Sequence, residues 1–515
     1  MNDLEPLRPM TDTATPSSPS PTVASADRAR WIALIVLCAG MLMIILDSTV
    51  VNVALPSIQH DLGFSQPNLA WVVNAYLITF GGLLLLAGRL GDLVGRRTVF
   101  LVGLSLFTLA SLLCGLAQSQ AELIAARFVQ GIGGALTSAV ILGMVVTMFP
   151  APQEQGRAIG VYSFVASAGA SIGLLLGGVV TQAINWHWIF FINLPIGVVT
   201  GVLALRLVAA DGDVPGLRRG VDIAGAVLVT SALMLAVYTI VEAGRYGWTS
   251  AHTLGFGAGS LALLAAFVAR ESTARDPLIP LRLFRSRNVS GANAVQLLMV
   301  ASLFGMFFLG VLFMQRVLGY SAVATGLAFL PVSAGIGVLS LGFSARLNNR
   351  FGPKATLLPG LAMLMLGLAW LTRAPVDASY ATDVLPSMLL IGAGAGISFP
   401  SLMTLAMSGA SAADSGLASG LVNTTVQVGG AVGLAVLATL SATRTEHLLA
   451  AGDQRAVALT GGYHLAWIIS AALAGVALLV ASVTLRSAPR FAEAAERTAY
   501  QQELRGPDPA YSEAA

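Results

Sequence analysis

One acid and one base stand where ionised side chains are costly. Asp47 lies inside an apolar run, with Met43, Ile44, Ile45 and Leu46 before it and Val50 and Val51 after it. Arg127 lies inside another, in Arg127-Phe-Val-Gln-Gly-Ile-Gly-Gly-Ala135. About 20 apolar residues cross a bilayer as a helix, and an ionised carboxylate at its centre costs about 3 kcal/mol on insertion scales. Such a group faces a protein interior or a water-filled cavity. Asp47 is read as a group that binds a proton or a cation during transport. The competing reading is a packing carboxylate paired with a neighbouring Arg. Asp47 is about nine residues inside Pro56, and Arg127 about six inside the start of its run. At 1.5 Å per residue both sit on the order of 10 Å below one surface. A pair at matched depth offsets both burial costs.

The elements that position these residues are set by composition. Of 515 residues, 56% are hydrophobic and 10% charged, against about 25% charged in soluble chains. The chain is an all-α polytopic membrane protein. Fourteen apolar segments are expected at 31–54, 68–88, 98–117, 121–147, 157–181, 188–208, 221–241, 251–270, 289–313, 321–345, 355–373, 383–407, 415–440 and 463–486. The net charge of +3 sits in the loops and implies no nucleic-acid partner. Cys38 and Cys114 lie in apolar runs, with neither disulfide nor metal spacing. There is no phosphate-binding Gly-x-x-x-x-Gly-Lys-Ser/Thr loop, no metal cluster and no nucleophile–base spacing. The chain is therefore expected to be no enzyme and to need no cofactor.

Twenty-two of the 28 Arg and Lys residues fall on one side of this topology, five on the other and Arg127 within a span. The positive-inside rule puts both termini in the cytoplasm. Residues 1–30 and 487–515 read as loose cytoplasmic tails; the first apolar run is too long for a cleaved signal and is read as a retained helix. The abundance of Arg and Ala, with Lys354 the lone Lys, suggests a bacterial source, hence the bacterial cell (inner) membrane.

An internal repeat divides the chain. The loop Gly88-Arg-Leu-Gly-Asp-Leu-Val-Gly-Arg-Arg97 aligns with Ala345-Arg-Leu-Asn-Asn-Arg-Phe-Gly-Pro-Lys354, 257 residues later. The alignment pairs Arg89 with Arg346, Gly95 with Gly352 and Arg97 with Lys354, and puts Asn349 where Asp92 stands. Two six-helix bundles, 31–208 and 289–486, are expected, with two inserted helices and linkers in 209–288. Gly88 and Gly95 allow a tight turn, and Asp92 can accept hydrogen bonds from a helix N-terminus or an Arg. Gly88, Asp92, Gly95, Arg96 and Arg97 are read as a conformational latch, the alternative being a plain basic loop. Gly169, Gly173, Gly177 and Gly178 form a small-residue face for close helix packing.

The turn at 88–97 resembles the signature loop of the major facilitator superfamily. Fourteen spans and the stretch Leu46-Asp-Ser-Thr-Val-Val-Asn-Val-Ala-Leu-Pro56 resemble its fourteen-span drug:proton antiporter branch. The segment around Arg127 matches that family's Arg-x-x-Gln-Gly pattern. Asn185-Trp-His-Trp-Ile-Phe-Phe-Ile-Asn-Leu-Pro-Ile-Gly197 resembles another family motif, with His187 in place of the usual Arg; Trp186 and Trp188 read as interfacial anchors. Leu174 stands where the antiporter motif has Pro, so a kink there does not follow. The resemblance implies that Arg127 takes part in proton coupling, so that protonating Asp47 frees it, and that the protein exports drugs or antibiotics using a proton gradient.

Candidates for lining a substrate cavity are Asn52, Asn74 and Tyr76 in the first half, and Asn293, Gln296, Asn423 and Gln427 in the second. Each can instead hold helices together. A lone carboxylate without an anion-binding cluster suits lipophilic or cationic small molecules. The partners implied are such a substrate, protons and the lipid bilayer. A dedicated exporter of one metabolite or self-made antibiotic is the alternative, and a receptor or membrane enzyme a remote one.

Overall fold

In a bilayer every backbone N–H and C=O must be satisfied internally, so apolar runs of this length fold as helices. The computed structural model describes residues 21–149, 152–211, 222–274, 277–278, 281–408 and 415–486, all helix or connection. The first bundle holds α1 (Pro21–Leu62), α2 (Gln66–Leu69), α3 (Trp71–Val94), α4 (Arg96–Leu116), α5 (Gln120–Met148), α6 (Pro152–Ala183), α7 (Trp188–Phe191) and α8 (Asn193–Leu207). The inserted pair is α9 (Ile223–Tyr246) and α10 (Ala251–Thr273). The second bundle holds α11 (Arg287–Arg316), α12 (Ala322–Val338), α13 (Ser344–Phe351), α14 (Pro353–Leu371), α15 (Leu385–Met407), α16 (Ser415–Ala450) and α17 (Arg455–Thr484).

Helix starts follow the local chemistry. Ser119, Ser250, Ser286 and Ser321 each accept from the backbone N–H three residues on, and Asp222 does the same for Gly225. α1 begins ten residues before 31, because Pro21 suits a first helical position and Ala24, Ala26 and Ala29 favour helix. The expected tail thus shortens to residues 1–20, which, like 487–515, lie outside the described residues.

Among the described residues, twelve helices are long and apolar enough to span a membrane, and two shorter apolar stretches, Ile172–Ala183 and Ala322–Val338, lie where the fifth and tenth spans are expected. The tenth segment is not one regular helix. α12 passes through a π-turn at Leu339–Phe343 into α13. Ser340 and Ser344 there donate to Gly396 O (2.9 Å) and Ile397 O (3.2 Å) of α15.

Within the first bundle α5 packs on α3 and α4, and α1 on α6 and α8. The bundles meet where α3 lies along α16, where α6 crosses α12, and where α1 touches α11. α9 packs on both α3 and α16 beside that seam, and α10 packs on α9. α10 is the least enclosed span, with only 17% of its apolar window buried against 78% for α11. Leu254 and Leu261 point outward from it, as lipid-facing residues do.

Candidate functional site

The fourth span presents Arg127 inward, and the first presents Asp47. Both are sealed from solvent: their side chains are 1% and 0% exposed. Arg127 Nη1 lies 2.6 Å from Asp47 Oδ2. Three further groups complete the site. Gln130, one turn along α5, accepts from Arg127 Nη1 through Oε1 (2.6 Å) and donates from Nε2 to Asp47 Oδ1 (2.8 Å) and Ser111 Oγ (2.8 Å). Asn193, the first residue of α8, donates from Nδ2 to Asp47 Oδ1 at 3.0 Å and contacts Ser111 Oγ at 3.3 Å. Arg127 Nε donates to Val72 O of α3 (2.8 Å), and its guanidinium lies 4.4 Å from the Tyr76 ring centre and 5.9 Å from that of Phe190.

Small residues let the elements close around these charges. A Cβ on Gly131 would lie 2.5 Å from Tyr76 O, so only Gly lets α3 bring Tyr76 under Arg127. On α6, Gly169, Gly173 and Gly177 pack against Leu42, Thr49 and Val50 of α1, on either side of Asp47 along that helix. Gly178 does not share this face. It packs on Ala322 and Val323 of α12, and Gly326 of α12 meets Leu174 O in return. These four glycines therefore serve two interfaces, one within the first bundle and one between bundles.

The expected cavity residues scatter. Asn52 is half-buried and donates to Ser48 O of its own helix at 3.0 Å. Asn74 is fully buried, and neither of its amide atoms has a described partner; the same is true of the Tyr76 hydroxyl. Asn293 joins α11 to α16, accepting from Thr425 Oγ1 at 2.9 Å, and Gln296 is buried on the same helix. Asn423 is exposed. Gln427 is half-buried, and its Cβ lies against Gly81 of α3, where a Cβ on Gly81 would approach to 2.5 Å.

At the repeated loop, Gly95 (φ 111°) and Gly352 (φ 88°) each end one helix and start the next with a backbone that favours Gly. Arg96 Nη1 donates to Gly143 O of α5 (2.8 Å), and Gly88 faces open space. The side chain of Asp92 lies outside the described residues. The acid described at this turn is one that sequence reasoning missed. Asp211, just beyond α8, accepts from the backbone N–H groups of Arg97 and Thr98 (3.0 Å each) and from Thr98 Oγ1 (2.7 Å). Its carboxylate occupies the N-terminus of α4, where a negative charge is favoured. Burial works to raise its pKa, but the hydrogen bonds from Thr98 and Arg97 and the Arg97 charge prevail, so it lies below the ordinary carboxylate range.

The other missed residues had weak signals. Ser111 is a lone hydroxyl in an apolar helix, and Gln130 and Asn193 sit inside motifs without a role assigned by spacing. Trp186 is no interfacial anchor. It is 3% exposed, and its Nε1 donates to Asp61 Oδ2 at 2.8 Å, because the loop before α7 folds back over the end of α1. Trp188 is exposed, as an anchor would be. His187 stacks on Trp186, and burial lowers its pKa more than the Asp61 charge raises it.

Two helical bundles, twelve membrane-length apolar helices among the described residues and an ion pair sealed inside the first bundle define a multi-pass membrane protein. Residues 37–434 match the family model described as Major Facilitator Superfamily, and the chain belongs to that superfamily. It is 38% identical to the puromycin resistance protein pur8 of Streptomyces alboniger, over 92% of this chain and 94% of that one. It is 40% identical to the cephamycin export protein CmcT of Amycolatopsis lactamdurans, over 80% and 85%. The fold is similar to that of a crystal structure of a mutant of the nucleoside transporter NupG, with a TM-score of 0.62 at 13% identity, over 88% of this chain and all of that one.

Proposed function

We propose that the protein is a proton-coupled antiporter that exports antibiotics or other lipophilic or cationic small molecules by alternating access. The reading takes fourteen spans in a bacterial inner membrane, counting the two shorter apolar stretches, with both termini in the cytoplasm. The observation that carries it is the Asp47–Arg127 pair, enclosed by polar groups from three other elements. A purely structural ion pair in hydrocarbon gains little over an apolar pair of the same shape. A pair that must break and reform has a reason to be there.

In this cycle a proton entering from outside neutralises Asp47. Arg127 then carries an uncompensated buried charge, which favours the conformation that opens the site. Proton release to the cytoplasm restores the pair. Asn52, Asn423 and Gln427 are the candidates that face the substrate path, since they are not sealed. Tyr76 belongs to the wall of the charged site, Asn293 joins α11 to α16 through Thr425, and Asn74 and Gln296 are buried on α3 and α11. The proton gradient is the energy source.

The test is proton flux in inverted membrane vesicles. Adding a transported compound is expected to dissipate an imposed pH gradient, and Asp47→Asn to abolish the response. Extrusion by the Asn variant at the wild-type rate would make Asp47 structural. A second reading, export of one dedicated compound, is supported by relatives named for single antibiotics. A competition panel separates the two, since a dedicated exporter responds to one scaffold only.

A further inference from the structure

The contacts of Asp47 are all donors. Oδ2 accepts from Arg127 Nη1, and Oδ1 accepts from Gln130 Nε2 and Asn193 Nδ2. A proton taken from solvent turns one of these oxygens into an O–H that needs an acceptor. Arg127 has none to offer. Gln130 cannot turn over, because its Oε1 must stay on the guanidinium 2.6 Å away, and reversal would set N–H groups against N–H groups. Asn193 is not pinned in this way. Its Nδ2 is shared between Asp47 Oδ1 and Ser111 Oγ, and a half-turn of the amide brings its Oδ1 to the same place. Ser111 can follow, since its hydroxyl now donates to Phe107 O at 2.8 Å and is free to rotate toward the new acceptor.

Resting on the proton-coupled reading above, we propose that Asn193 is the positioning residue that registers the proton on Asp47, by reversing its side-chain amide. The amide donates to the carboxylate in the ionised state and accepts from Asp47 Oδ1–H in the neutral state. The site gains one positive charge, and the Ser111 hydroxyl turns from Phe107 O to the new acceptor. Asn193 opens α8, and Leu205 and Asp211 near the other end of that segment contact Arg97 and Thr98. The residue that senses the proton thus sits on the element that also reaches the repeated loop.

The ionisable groups facing Asp47 are Arg127 of α5, Tyr76 of α3 and Cys114 of α4. Elsewhere on elements packed against α1, Glu122 begins α5, Glu154, Arg157 and Tyr162 lie early in α6, Arg206 lies late in α8, and Arg287 and Arg316 end α11. Asp47 is therefore the one acid in the sealed site among the described residues.

Two measurements test this. In proteoliposomes, Asn193→Asp sets a second carboxyl beside Asp47, and two carboxyls at this spacing share a proton. The pH of half-maximal exchange is expected to rise by about one unit or more. A lower rate with the wild-type midpoint would mean that Asn193 only packs, and would overturn the proposal. The second measurement uses wild-type protein and does not depend on the variant folding. An infrared difference spectrum across a pH step, with isotope-labelled Asn, should show an amide shift together with a new protonated-carboxyl band, both lost in Asp47→Asn. A carboxyl band with an unmoved amide band overturns this proposal alone. No carboxyl band at all removes the proton coupling itself, and this proposal with it.

Discussion

Arg97 and Lys354, 257 residues apart, each reach the last turn of the final helix in their own bundle. Arg97 Nη2 donates to Leu205 O at the end of α8, and Lys354 Nζ donates to Ser482 O (2.8 Å) and Leu485 O (2.7 Å) at the end of α17. A cation at a helix C-terminus meets the unpaired carbonyls and the negative end of the dipole. The two loops are thus equivalent in three dimensions as well as in letters. One difference between them is Asp211, which adds a carboxylate to the first loop at the start of α4.

That difference separates two glycine substitutions. Gly95→Ala and Gly352→Ala each place a Cβ on a positive-φ backbone, costing about 1 kcal/mol or more. Only at Gly95 does the added Cβ also collide with the Asp211 carboxylate, while at Gly352 it meets open space. Gly95→Ala is expected to lower both thermal stability in detergent and transport well below the levels of Gly352→Ala. Equal losses would show that Asp211 does not constrain the turn.

Asp211 also sets a pH dependence. Its folded-state pKa lies below the ordinary 3.8, so the folded state favours the ionised form. The stabilisation is complete above the ordinary value and is lost as pH falls through the lowered one. Wild type should melt above Asp211→Asn at neutral pH, and the gap should close in strongly acidic detergent solution. A gap that is constant with pH would mean that the carboxylate charge is not what holds the turn.

The sealed pair predicts strong coupling between its members. Arg127→Met leaves Asp47 buried without its cation, which destabilises by about 3–5 kcal/mol. Asp47→Asn combined with Arg127→Met removes both charges and should recover most of that loss in thermal unfolding, without recovering proton flux. Additive losses in the double variant would show that the two side chains do not act as a pair.

The glycines behind α1 give a packing prediction. At Gly173 a side chain would run into Thr49 and the Leu46 backbone, next to Asp47. Gly173→Leu should destabilise by about 1–3 kcal/mol through overpacking and reduce transport. At Gly63, with φ 68° and nothing within 4 Å, Ala substitution carries only the backbone term and should leave transport near wild type.

Sequence alone determined that this chain is helical, membrane-spanning and built on a repeat, because apolar period and loop charge are local properties that no packing overrides. It also put Asp47 and Arg127 at one depth, since rise per residue is fixed within a helix. Tertiary structure alone decided the rest. Gln130 and Asn193 come from α5 and α8 and gain meaning only by converging on one carboxylate, with Ser111 of α4 bonded to both of them. Asp211 reaches the first repeated loop from more than 110 residues away. Gly177 and Gly178, adjacent in the chain, face different bundles because successive residues on a helix point about 100° apart. Linear spacing carries depth and period, whereas the partner across a helix interface is set by how the helices rotate and cross.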